Sequence, residues 1–400
     1  MTNYFDYIYE PENDSKLLLD TAIKLIEEKH TNICEVGIGS GFVIEGVKKH
    51  FNDKKVVKNY FGTDINSYAT QYVKSRNSDI EILEGNLLEP INVKQDVILF
   101  NTPYLPCEDG ESLEDLEIKD RAIYGGKKGY EVIEEFLYQI NDKLEDEGFV
   151  LMLFSSLSHK KYIEDVLDKN LFEYKLVAER REFFEELYIF KISKSEMLKR
   201  INKISDGNLK SVKYFSKGKH SIILEGLVDG GDEVIIKIGD FKDLQIEAIY
   251  LKQLQEYGFV PKIYFIDDKN EFIIMEKLVG QTIKEFLDDE NDREKIIKVL
   301  DKILKVCQKL DELELNKFEL TNPYKHIFVD NDLNIKFIDF ERTIKSLNPK
   351  NTRQILQYFR RNQNLLLSKG IELDSEKVME IAKRLKEERV EFGIKNLILG

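Results

Sequence analysis

Tryptophan is absent from the 400 residues, histidine occurs five times and cysteine three times. Cys34, Cys107 and Cys307 lie far apart, are odd in number and lack paired metal-ligand spacing. That excludes a disulfide framework and a cysteine zinc site and leaves free thiols. No apolar run approaches the length of a membrane span, and Met1 to Glu12 has neither a basic start nor an apolar stretch to serve as a targeting signal. A cytoplasmic protein with no membrane partner is expected. Positive charge is also in deficit. The net charge of -14 argues against a chain whose main task is gripping nucleic-acid phosphate, so a protein or small-molecule partner fits better. No internal repeat or low-complexity tract is present. The remainder is globular in character, 42% hydrophobic and longer than one core usually serves, so two domains are expected.

The apolar positions Leu18, Leu19, Ala22, Ile23, Leu25 and Ile26 recur at helical spacing and predict a helix over Ser15 to Lys29. "NICEVGIGSG" then reads as a strand running into glycines. Further strand-like runs, "KNYFGTDIN", "IEILEGN", "DVILFNTPY" and "GFVLMLFSS", alternate with segments that can hold helices, among them "GYEVIEEFLYQINDKL". Such alternation implies a mostly parallel, doubly wound α/β sheet. "FEYKLVAERREFFEELYIFKIS" reads as an antiparallel edge hairpin. A domain of residues 1–194 is expected, then a charged linker with a short helix over 195–207, then a second domain over 208–400. There strands cluster first ("SVKYFSKG", "HSIILEGL", "EVIIKIG", "KIYFIDD", "EFIIMEKL") and helices follow, a two-lobed α+β pattern.

In the first domain Gly37, Gly39 and Gly41 stand between a strand and a helix, where backbone N–H groups can approach a ligand closely. Asp64 ends the next strand, where an acid reaches the ribose hydroxyls of a nucleotide-like cofactor, and Asn86 ends the third, where it could meet an adenine edge. A nicotinamide enzyme would use similar glycines, but it gives no reason for Asn101-Thr102-Pro103-Tyr104 at the end of the fourth strand. A methyl transfer to a planar nitrogen does. The Asn101 side-chain oxygen and the following backbone carbonyl can accept both N–H bonds of an amide or aromatic amine, with Tyr104 stacked on its plane. No strong general base is needed, because the proton can leave after the displacement.

"YEPENDSKLLLD", "EVGIGSG", "GTDIN", "NTPYLP" and "AIYGGKKGYEVIEEF", in that order, resemble the HemK2-type glutamine methyltransferases of archaea and eukaryotes, over roughly residues 4 to 193. That family modifies the Gln of the Gly-Gly-Gln loop of class-1 translation release factors. The resemblance implies a Rossmann-like class I methyltransferase fold and S-adenosylmethionine as cofactor. It implies cofactor contacts from Glu35, Gly37, Asp64 and Asn86, with Tyr9-Glu10-Pro11 and Asp14-Ser15 closing over the cofactor. Asn101, Pro103 and Tyr104 then act on the substrate amide, and a small zinc-binding activator subunit is an implied partner. Thr102 departs from the usual Asn-Pro-Pro-Tyr. A residue other than proline adds an N–H and frees φ, so the clamp carbonyl is expected to be less rigidly placed. Nucleic acid amino-methylation is the alternative, disfavoured by the acidic "CEDGESLEDLEIKD" directly after the motif and by the lack of a basic recognition region. A catalytically silent, translation-associated binding protein is another.

In the second domain "FSKGKHSII" and "EVIIKIG" place a glycine turn between strands and Lys237 in the third strand, with Glu247 ten residues on in a helix. "NIKFIDFE" puts Asp339 where a metal-binding Asp-Phe-Gly aspartate stands. The segment resembles small archaeal Ser/Thr kinases related to the atypical Bud32 and RIO types, over roughly 208 to 365. The resemblance implies ATP with Mg or Mn, held by Lys237 and Glu247. "NKFELTNPYKHIFV" departs from the His-Arg-Asp pattern, offering Glu319 for the catalytic Asp and Asn322 or His326 for the metal-binding Asn. An atypical kinase and a nucleotide-binding pseudokinase both fit these letters.

Overall fold

The structure, a computed structural model, describes residues 6–108, 110–204, 209–218, 221–228, 230–267, 269, 271–385, 390 and 392–399. It divides into two compact units, one comprising Met1–Tyr214 with Gly226–Gly231, the other Phe215–Glu225 with Asp232–Gly400. Among the described residues no helix is long and apolar enough to cross a membrane.

The first unit is built on seven strands: β1 (Asn32–Val36), β2 (Asn59–Asp64), β3 (Ile80–Glu84), β4 (Gln95–Asn101), β5 (Leu144–Ser155), β6 (Phe172–Arg181) and β7 (Glu186–Lys194). Their order in the sheet is β3-β2-β1-β4-β5-β7-β6. The first five run parallel, whereas β7 is antiparallel to β5 and β6 to β7, which is the expected edge hairpin. Helices α1 (Asn13–Leu25), α2 (Phe42–Asp53), α3 (Ser67–Arg76), α4 (Glu131–Lys143) and α5 (Lys160–Lys169) accompany these strands. The unbroken run Val97–Phe100 is buried because successive side chains serve opposite faces. Val97 and Leu99 join the core of Leu18, Ala22 and Val43, while Phe100 meets Phe136 of α4 at 4.7 Å. Strand order reverses between β1 and β4, which opens a crevice at their carboxyl ends.

Helix α1 stops at Leu25, four residues short of the expected Lys29. The cause lies elsewhere in the chain. The buried Lys58 ammonium donates to the carbonyls of Glu27, Glu28 and His30, and the Glu27 N–H goes to His30 Nδ1 at 2.9 Å, so the next helical turn has lost its backbone groups. The stretch 195–207 is expected to hold a short helix. It contains helix α6 (Glu196–Ile204), whose Leu198 and Ile201 are buried and whose Lys199 pairs with Glu147 at 2.8 Å. Residues 205–208 of that stretch lie outside the described residues.

A five-stranded sheet has the order β11-β12-β10-β9-β8, from β8 (Lys210–Lys217), β9 (Ser221–Leu227), β10 (Glu233–Gly239), β11 (Ile263–Ile266) and β12 (Phe272–Glu276); of these β10, β11 and β12 lie wholly in the second unit. Helix α7 (Phe241–Leu254) follows β10, with Asp240 capping it by accepting from the Lys242 N–H. Beyond come β13 (Gln281–Thr282), α8 (Ile283–Asp289), the long α9 (Arg293–Glu312), β14 (Leu315–Asn316), β15 (Ile327–Val329), β16 (Ile335–Phe337) and β17 (Ile344–Lys345), then α10 (Asn351–Arg361), α11 (Gln363–Ser368) and α12 (Ser375–Arg384). The apolar stripe of α9, including Ile296, Leu300, Ile303 and Cys307, sits at the centre of this unit's core. The turn expected at Gly218-Lys219-His220 lies partly outside the described residues.

Candidate active site

A cavity opens at the carboxyl ends of β1, β2 and β4, and Gly37, Gly39, Asp64 and Asn101 are among its lining residues. Gly37 and Gly39 have φ of 64° and 49°, the left-handed region that L side chains rarely adopt, so their backbone forms the floor without a Cβ in the way. Gly41 does not line the cavity. A Cβ there would come within 3.1 Å of Val73, so its role is to bring α2 close to α3.

The carboxylate of Asp64 accepts the Gly39 N–H at 2.9 Å and the Asn66 N–H at 2.8 Å. Burial pushes this carboxyl up, and the two N–H bonds pull it back. Each oxygen keeps lone-pair capacity, which suits a vicinal diol. Glu35 is buried, accepts the Ile44 N–H at 2.8 Å and is pushed up to about 8 by burial, so it can donate as well as accept near neutral pH. Asn86 lines the cavity, but its amide nitrogen donates to Glu135 of α4 at 2.6 Å, so the expected adenine-edge role is shared with a helix the strand-end reading did not include. The N-terminal strap is held by the Asn66 amide, which donates to the Tyr7 carbonyl at 2.7 Å, and by stacking of Tyr7 on Tyr68. Tyr9, Pro11 and Ser15 line the cavity, whereas Glu10 is exposed and is not among the lining residues.

Asn101 is anchored at the last rung of β4, opposite Leu153. Its nitrogen donates to Asp14 Oδ2 at 3.0 Å and lies 3.5 Å from Ser15 Oγ. Asp14 also takes the Tyr9 hydroxyl at 3.2 Å and the Ser15 N–H. A carboxylate only accepts, so it selects the NH2 of Asn101 and turns the amide oxygen away. That oxygen is buried and has no hydrogen-bond partner. Asp14 is not among the residues lining the cavity and meets it through its bond to Asn101. The Tyr104 phenol is held well above its ordinary range by burial, then by Glu185, Asp14, Glu12 and Glu182, and is a neutral stacking group rather than a base.

The expectation of a loose clamp carbonyl is overturned. The Thr102 N–H bonds the Leu153 carbonyl at 3.1 Å and the Thr102 hydroxyl bonds the same oxygen at 2.9 Å, so the residue continues the ladder with β5. From the other side Gly125 closes on the clamp, its N–H bonding the Leu105 carbonyl at 2.8 Å. A Cβ on Gly125 would lie 2.2 Å from the Pro103 carbonyl oxygen, and one on Gly129 would lie 2.5 Å from that of Tyr104. The motif containing these glycines was visible in the sequence; what they press against was not.

In the second unit, Lys237 of β10 bonds Glu247 of α7 at 2.7 Å and lies 3.2 Å from Asp339 and 3.4 Å from Glu341. Burial alone would lower this lysine, but the three carboxylates hold it above its ordinary range. Burial likewise opposes ionisation of Asp339, yet His326 at 3.3 Å, Lys237 and Lys317 keep it well below the usual carboxylate range. Asp339 has φ 66°, a strained conformation of the kind that gathers at functional sites. Glu319 is buried, pairs with the buried Lys317 at 3.2 Å and leaves its other oxygen without a hydrogen-bond partner. Asn322 is not brought into this cluster by any of these bonds; its amide oxygen accepts from Arg361 at 3.2 Å. Glu341 and Lys317 were missed in the sequence although each lies two residues from a predicted site residue. Glu247, Asp339 and Glu341 offer oxygens within 4.8 Å of one another, a spacing that suits a divalent cation.

No protein-family model matches the chain. Over 186 residues, 46% of this chain and 89% of the relative, it is 34% identical to an inferred protein N5-glutamine methyltransferase of Methanocaldococcus jannaschii. Over 212 residues, 47% of this chain and 90% of the relative, it is 27% identical to the eRF1 methyltransferase catalytic subunit of Schizosaccharomyces pombe. A solved Mtq2–Trm112 complex of E. cuniculi, described as responsible for methylation of the eRF1 termination factor, is 25% identical over 47% of this chain and 99% of that one, with a TM-score of 0.37.

Proposed function

Through its first half the chain belongs to the protein N5-glutamine methyltransferases, and from that premise we propose that it methylates the side-chain amide of the glutamine in the Gly-Gly-Gln loop of a class-1 release factor, in the cytoplasm. The single observation that carries this is the buried, unpartnered Asn101 oxygen, aimed by Asp14 and waiting for an N–H donor. The cavity fits S-adenosylmethionine: the glycine floor accepts close approach, Asp64 matches ribose hydroxyls, and the Asn86–Glu135 pair offers polar atoms for the adenine. When bound, the cofactor supplies an electrophilic methyl on a sulfonium.

Asn101 and the Thr102 carbonyl accept the two N–H bonds of the substrate amide and hold its lone-pair face toward that methyl; Tyr104 stacks on the amide plane. Positive charge would build on the amide nitrogen as it takes up the methyl group, and the same two acceptors, the Asn101 oxygen and the Thr102 carbonyl, would stabilise it. The proton then leaves to solvent, so no base is required. Asp64→Ala is expected to weaken cofactor binding by roughly 1.5–3 kcal/mol, the value of a hydrogen bond to a charged group. Calorimetric titration decides it; unchanged affinity would make Asp64 a turn-forming residue only. The S. pombe relative is described as a catalytic subunit, so activity tests are run with and without a small zinc-binding activator.

For the second unit the proposed function is metal-dependent ATP binding in a kinase-like fold. Support comes from the sheet order with α7 after β10, and from the Lys237–Glu247 pair beside Asp339. In that reading Asp339 and Glu341 would hold a divalent cation while the Lys237–Glu247 pair positions the phosphates. The full-length protein is expected to show a thermal shift with ATP and Mg or Mn that Lys237→Ala removes, while Glu319→Ala slows turnover with little effect on binding. Absence of any nucleotide-dependent shift in the wild type would leave this unit without a nucleotide role.

A further inference from the structure

Phe183 and Phe184, at the tip of the β6–β7 hairpin, are 98% and 96% exposed. Neither the core nor the turn accounts for them: the connection is closed by the Glu182 N–H on the Glu185 carbonyl at 2.9 Å, and such connections favour Gly, Asn, Asp or Ser, not adjacent aromatics. The position of the tip is informative. Asn101 pairs with Leu153, and Leu153 with Ile189, so these three residues lie level across the sheet. The start of β7 at Glu186 is three residues, about 10 Å at 3.3 Å per residue, past the level of the amide clamp, and Phe184 lies beyond it in the connection, on the side where substrate must enter.

The surroundings are acidic. Glu12, Asp14, Glu182 and Glu185 all act on the Tyr104 phenol of the clamp, and of the tip's own charges Arg180 is taken up by Glu182 at 2.8 Å. The segment leaving the clamp carries Glu108, Glu111, Glu114, Asp115 and Glu117. An exposed aromatic pair on a hairpin whose Glu182 and Glu185 reach the Tyr104 phenol, with Arg181 the exposed basic residue beside it, is complementary to a polypeptide with apolar and basic residues flanking the reacting side chain.

We propose that the tip of the β6–β7 hairpin is the docking surface for the protein that carries the acceptor glutamine, with Phe183 and Phe184 contacting apolar side chains of a basic segment beside that glutamine. This rests on the glutamine methyltransferase reading. Neither phenylalanine lines the cofactor cavity, so the hairpin sets affinity for the protein acceptor and leaves the chemistry alone.

The test compares wild type with the Phe183→Ser/Phe184→Ser double variant, as full-length chains with the activator subunit. Acceptors are the folded Gly-Gly-Gln domain of a class-1 release factor and a short Gly-Gly-Gln peptide. The KM for the domain is expected to rise at least about tenfold with kcat and cofactor affinity unchanged, while the short peptide is methylated at the wild-type rate. Glu185→Lys is expected to raise the same KM and to flatten its salt dependence. Wild type methylating both acceptors with the double variant's KM unchanged overturns the docking surface alone. Loss of activator binding by the variant, seen by co-purification, assigns the tip to the activator and also overturns it. Wild type methylating neither acceptor overturns the glutamine reading, and the docking surface with it.

Discussion

Asn101→Ala is expected to lower methyl transfer by at least about a hundredfold while cofactor affinity stays within about twofold of wild type, since the lost oxygen positions the acceptor and stabilises charge that develops only in the transition state. The Asp14 carboxylate loses one donor and keeps three, the Tyr9 hydroxyl and the Ser15 N–H and hydroxyl, so the strap stays in place. Single-turnover methylation of the release-factor domain, read beside calorimetric cofactor binding, separates the two effects. Comparable rates in the variant would show that the amide is clamped by other groups. Asp14→Asn is the informative companion. An amide at position 14 can donate to Asn101 and allow it to flip, so turnover falls although no group that touches the substrate has been changed.

The second large effect is expected from Gly125→Ala. The added Cβ would stand 2.2 Å from the Pro103 carbonyl oxygen and 2.7 Å from that of Gly129, both backbone atoms that cannot swing aside as a flexible side chain can. Relief requires moving the segment that carries Pro103 and Tyr104, which costs about 3 kcal/mol as an overpacked site and displaces the clamp. Denaturant unfolding should show the loss of stability, and methylation should fall well beyond what reduced folding explains. An unaltered midpoint together with full activity would mean that the strand end yields without cost. Gly110→Ala separates the two effects, because nothing lies within 4 Å of a Cβ there and any cost comes from its φ of 93° alone, away from the clamp.

The parts of the site that were readable in the sequence are those encoded by neighbours in the chain. A buried strand announces itself by an unbroken apolar run, and a phosphate-free glycine turn by its spacing, so Gly37, Gly39, Asp64 and Asn101 could be placed before any coordinates. What stayed hidden depends on residues distant in sequence. Lys58 ends α1 by taking carbonyls some thirty positions away. Glu135 claims the Asn86 amide from a helix in another crossover. Asp14 looked like part of a lid, and only the fold brings it to Asn101, from 87 residues away. In the second unit the strands and the Lys237–Glu247 pair were legible from spacing, yet the third carboxylate on that lysine, Glu341, depends on a left-handed turn at Asp339 that no residue type foretells.

The bond from Thr102 to Leu153 gives the clamp something that a proline at that position denies it: an exchangeable proton at the joint itself. A ring fixes its carbonyl permanently and silently, whereas a hydrogen-bonded joint can open, and each opening exposes one amide to solvent. Deuterium uptake at Thr102 therefore serves as a gauge of how often the end of β4 unlatches from β5, readable in the resting protein without substrate. Uptake that slows on loading with cofactor or acceptor would report the joint being drawn shut, a readout that a Thr102→Pro variant would lack.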